Sequence, residues 1–65
     1  MNLELEYNQY YLRLLIGMET AMQSGDYIPD YVIKAAIHVG RLAGVPEEEI
    51  HMMERAVRHP TGQLH

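Results

Sequence analysis

Glycine and proline punctuation constrains this chain more than any other feature. Gly25-Asp26 interrupts one periodic apolar segment and Gly44 ends a second. Pro29 and Pro46 sit where a first helical residue tolerates proline, and Pro60 closes a third segment. The spacing predicts helices near 4–24, 29–43 and 46–58. No stretch alternates polar and apolar residues for long enough to make a strand. The expected fold is an all-α, three-helix miniature domain over residues 1–60, with a polar tail over 61–65 whose composition predicts fraying.

Size limits what such a domain does alone. A chain of 65 residues buries only roughly 60% of its unfolded surface. Conformational entropy opposes folding by about 1.5 kcal/mol per residue, close to the whole hydrophobic gain. Small domains therefore add a staple. With no cysteine, neither a disulfide nor a thiolate metal site is available, which leaves self-association or a partner protein. The lack of cysteine also fits a cytoplasmic protein. The acidic start, Met1 to Glu6, is unlike a signal peptide, and Arg13 breaks the longest apolar run, so no membrane span is expected.

Net charge is −4 and unevenly placed. Residues 1–30 hold five acids and one base, whereas residues 31–65 hold four of each and all four histidines. An acidic front half disfavours nucleic acid as its partner.

The first predicted helix is the most apolar. Glu6, Gln9, Arg13, Thr20 and Gln23 fall on one narrow polar stripe. Tyr7, Tyr11, Leu14, Met18 and Ala21 form a heptad-like seam, and Leu5, Leu12, Leu15 and Met22 form a second seam beside it. Two seams on one helix serve its own domain and an external contact. The second helix has a thin polar stripe of Asp30, Lys34, His38 and Arg41, so it is expected to be central and mostly buried. Ala36 and Gly40, four residues apart, allow close approach of another helix. In the third, Ile50, Met53, Ala56 and Val57 share one face. Three glutamates at its start and Arg55, Arg58 and His59 at its end complement the helix dipole. Asp30 with Lys34, and Glu54 with Arg58, are placed for ion pairs.

Catalytic chemistry finds no support in these residues. Ser24 is the one serine, no glycine-rich phosphate loop occurs, and no carboxylate pair is obviously buried. Glu47, Glu48, His51 and Glu54 share a helix face, but carboxylate metal sites draw ligands from several facing helices, and the other two offer no match. No enzyme activity, cofactor or metal is expected.

Tyrosine and methionine number five each, with no Phe or Trp. Tyrosine joins an apolar ring to a polar tip, and methionine adapts to irregular surfaces, so both suit interfaces. The candidate contact residues are Tyr7, Tyr11, Leu14, Leu15, Met18 and Met22. The expected function is a small regulatory or adaptor protein acting by protein–protein contact. Its partner is itself, as a homodimer built on the first helix, or another, unidentified protein.

Residues 39–61 carry a second possibility. Gly44-Val45, Ile50, Glu54-Arg55 and the exit Arg58-His59-Pro60 resemble the helix-turn-helix segment of Cro/repressor-type regulators, with Gly40 as the small residue at the start of the turn. The resemblance implies a dimeric DNA-binding transcriptional regulator, contacting DNA through Arg41, His51, Arg55 and Arg58. The chain departs from that pattern at Ala35, Ala36 and Ile37, where the family is polar. It also places Glu47, Glu48 and Glu49 at the base-reading end of the second helix, where a carboxylate repels phosphate and reads only cytosine.

Overall fold

The computed structural model describes residues 2–59. They form three helices, α1 (Leu3–Gln23), α2 (Asp30–Leu42) and α3 (Glu47–Arg58), with no strand among the described residues. The fold is all-α, as expected. Pro60 and the tail over 61–65 lie outside the described residues.

Each boundary has a local cause. The Asn2 side-chain oxygen accepts from the Leu5 N–H at 3.2 Å and caps α1. Gly25 (φ 75°) and Gly44 (φ 82°) take the left-handed conformation that other residues avoid. After α1, the Gly25 N–H donates to the Met22 carbonyl and the Asp26 N–H to that of Ala21. After α2, Gly44 donates to Arg41 and Val45 to Gly40 in the same pattern. Both helices thus end in a Schellman motif, which needs glycine at that point. Pro29 and Pro46 sit one residue earlier than expected, as N-caps with extended ψ of 148° and 144°. Their carbonyls accept the first helical bonds, from Val32 and Ile33 and from Ile50 respectively. A proline there sacrifices nothing, because an N–H at a helix start has no intrahelical partner.

The chain runs up, down and up. Gly40 of α2 lies on Tyr11 of α1, and Val32 lies beside Leu14 and Ala21, so the two helices are antiparallel. Glu49 at the start of α3 lies beside Asn8 and Leu12, and Val57 near its end lies beside Glu19 and Met22, so α3 is parallel to α1. α2 is the central helix and touches both others far more than they touch each other. The buried side chains are Tyr11, Met18, Ile33, Ala36, Val39, Ala43 and Ile50. α2 is less covered than expected: Tyr31, Ala35 and Leu42 remain exposed. Two neighbouring helices cannot enclose a third on every side.

Ion pairs fasten α3 to α2 at both ends. Where α2 passes into α3, Arg41 grips Glu47 with two hydrogen bonds of 3.0 and 3.1 Å. At the opposite end Arg58 donates to Asp30 at 2.6 Å and to Glu54 at 2.8 Å. Asp30 also meets Lys34 at 3.2 Å, the expected pair. These groups are substantially exposed and screened by solvent, so each pair adds little to stability. The Arg58 and Lys34 hydrogen bonds hold the Asp30 carboxyl below its ordinary value, and Arg41 does the same for Glu47. A depressed folded value contributes stability that is present above the unfolded pKa and is lost as pH falls through the folded one. Melting temperature is therefore expected to hold through neutral pH and to fall below about pH 4. Asp30→Asn should flatten that acid limb in thermal melts; an unchanged limb would remove the Arg58 clasp from the account.

Candidate functional site

α1 is about 31 Å long at 1.5 Å per residue, and only one side of it is covered. The seam of Tyr7, Tyr11, Leu14, Met18 and Ala21 turns inward. Tyr11 and Met18 are buried, while Tyr7, Leu14 and Ala21 are half-buried. The second seam divides. Leu15 and Met22 are half-buried beside α3, but Leu5 and Leu12 point outward. Ile16, four residues after Leu12, extends the outward stripe.

Because α1 and α3 meet at so few points, a groove runs between them. Two adjoining depressions of about 400 Å³ each follow it. Leu12 and Leu15 line both from one side and Met53 from the other. Leu12 is 51% exposed and Ile16 63% along one rim, and Met52 of α3 is 64% exposed. The surface is a two-helix apolar face, with Glu49 toward one end and Glu19 toward the other.

Of the six contact residues expected from sequence, the groove takes Leu15, Met18 and Met22 into its lining, and Tyr11 touches one end. Leu14 lies on the other side of α1, facing Ile28 and Val32. Burial of Tyr11 and Met18 is accounted for within one copy of the domain. Burial, followed by the nearby Glu49 carboxylate, pushes the Tyr11 phenol above its ordinary value, so it stays neutral. Ile16 and Met52 belong to neither predicted seam. The signal for Ile16 is its i+4 spacing from Leu12, and for Met52 its isolation as a large apolar side chain among charges.

The cations of the helix-turn-helix reading are scattered in role. Arg41 and Arg58 are held by carboxylates, and His51 lies 3.8 Å from Glu47. Among the described residues, Arg55 meets no carboxylate within 4.0 Å. A depression of about 600 Å³ is lined by Met22, Asp26, Tyr27, Ile28, His59 and the Asp30–Arg58 pair, whose two charges match each other. No helix of the described residues is long and apolar enough to cross a membrane.

This geometry defines a three-helix domain with an open apolar face. No protein-family model, curated protein or solved structure matches the chain.

Proposed function

We propose that this is a non-enzymatic regulatory or adaptor protein that acts through protein–protein contact, and that a second copy covers its α1 face as a homodimer. The observation that carries this reading is the outward stripe of Leu5, Leu12 and Ile16, of which Leu12 and Ile16 border a groove that its own domain leaves open. A second copy is the natural occupant on physical grounds. Among the described residues the buried core holds seven side chains, three of them alanine or valine, so a chain of this size gains stability from a further source of burial. The one protein always present beside it is another copy, carrying the same exposed face. α1 and the shorter α3, each about 10 Å wide, present roughly 500 Å² in projection. That is below the roughly 600–1,000 Å² per partner of a standard interface and falls in the class of weak contacts, so association no tighter than about micromolar is expected.

Sedimentation at micromolar concentration tests the reading. The chain should run as a dimer, and a stable folded monomer would sink the proposal. Leu12→Glu with Ile16→Glu should weaken association at least roughly a hundredfold, because each carboxylate would have to be desolvated at the interface. Helicity should persist, since both side chains are exposed in a single copy. The observations weigh against DNA as the partner, because Arg41 and Arg58 are engaged by Glu47, Asp30 and Glu54. Low-salt retardation of duplex DNA that is abolished by Arg55→Ala with Arg58→Ala would replace the present reading with the helix-turn-helix one.

A further inference from the structure

The exposed edge of α3 has an order of charges that selects one way of pairing. Glu48, Met52, Arg55 and His59 follow spacings of four, three and four, so they share one side of the helix. Glu48 and Arg55 are seven residues apart, which puts them at the same heptad position with Met52 between them. Both are exposed, and among the described residues neither meets an opposite charge within 4.0 Å. Lys34, Arg41 and Arg58 are all paired, and the other cation with no carboxylate in reach among the described residues is Arg13 of α1. An edge reading acid, methionine, base is complementary to its own reverse. Laid parallel and in register on a copy of itself, it would set Glu48 against Glu48.

We infer that the second copy docks antiparallel on this face, α3 against α3 about a two-fold axis at Met52, so that Glu48 of each copy meets Arg55 of the other. The inference rests on the homodimer proposed above and adds its geometry. α1 agrees with it. Glu49 lies level with Leu12, and Met53 with Leu12 and Leu15, so a two-fold axis at Met52 passes close to Leu12. Leu5 and Ile16 then fall on opposite sides of the axis, and the apolar stripe meets its own reverse. An isologous contact of this kind closes at two copies. The apolar face supplies the burial. The Glu48–Arg55 pairs sit at its rim, on the side of α3 away from α1, where charges set orientation and salt dependence more than affinity.

Charge exchange at the two positions tests it by sedimentation at low salt. Arg55→Glu alone places like charges together twice per dimer, and so does Glu48→Arg alone. Each should weaken association about tenfold while keeping wild-type helicity. An equimolar mixture of the two variants brings an edge with two acids against one with two bases, and should form a heterodimer at least as tight as the wild-type dimer. The double variant restores the order in reverse and should self-associate again. If the wild type dimerises but the single variants match it, or if neither the mixture nor the double variant recovers, the antiparallel geometry is wrong and the α1 reading stands. A monomeric wild type would remove both.

Discussion

Ile50→Ala should lower the melting midpoint by at least ~8 °C and, at the upper end of its cost, abolish most of the folded population. Ile50 is 1% exposed and is, among the described residues, the largest side chain so fully enclosed. It stands in the first turn of α3, where its N–H bonds to the Pro46 carbonyl at 3.1 Å. Removing its three outer carbons from a closed site costs about 2–5 kcal/mol, transfer and cavity together. A domain of this length holds roughly 3–10 kcal/mol in all. One kcal/mol shifts the midpoint of so small a domain by about 4–8 °C, so the fall is at least ~8 °C and in the upper range complete. Ile50→Val removes a single methyl and should cost only about 0.5–1.5 kcal/mol. Both are read by circular dichroism melts at one fixed protein concentration, so that any self-association would contribute equally to each variant. An alanine variant melting within a few degrees of wild type would show that α3 is not held by its apolar face.

The reason α3 depends on one residue is also the reason its face was legible. Ile50, Met53 and Val57 repeat at helical spacing and turn inward, with Ile50 buried and Met53 lining the groove toward α1. Ala56 shares the predicted face but stays exposed, since α1 does not come close enough to cover it. Helix ends were equally plain, because Gly25 and Gly44 satisfy a backbone requirement that lies within six residues of each. The local pairs Asp30–Lys34 and Glu54–Arg58 followed from spacing alone.

What spacing could not give is which of two seams on α1 the domain would use. Both have helical periodicity, so the choice depends on how far α2 and α3 reach around α1. α2 takes the Tyr11–Met18 side, where Gly40 permits close approach, and α3 stops short of Leu12 and Ile16. The clasps from Arg41 to Glu47 and from Arg58 to Asp30 were hidden for the same reason. The second joins residues 28 apart, and no sequence pattern links them before the helices are docked. A surface defined by what the fold leaves uncovered is the last thing a sequence reveals, and here it is the surface on which the function is proposed to rest.

The two glycines inside helices should respond in opposite directions to an added side chain. A Cβ on Gly40 would lie 2.9 Å from Tyr11 Cε1 and 3.3 Å from Cδ1 and Cζ. The ring is 5% exposed and hemmed in by core, so it has little room to give. Helix propensity would favour Gly40→Ala by about 1 kcal/mol, partly masking the collision. Gly40→Val adds two methyl groups toward the ring and is the sharper test. Overpacking costs about 1–3 kcal/mol, and prising α1 from α2 costs more, so Gly40→Val should remove most of the domain's stability. Gly17 meets no heavy atom within 4 Å, and Gly17→Ala should stabilise by about 0.5–1 kcal/mol through propensity alone. The collision itself is isolated by a double-mutant cycle. Tyr11→Ala should cost clearly less in the Gly40→Val background than in the wild type, because the truncated ring makes room for the new side chain. If the two costs simply add, the ring does not rest on Gly40, and the close packing of α1 on α2 must be held by Met18, Ile33 and Ala36 instead.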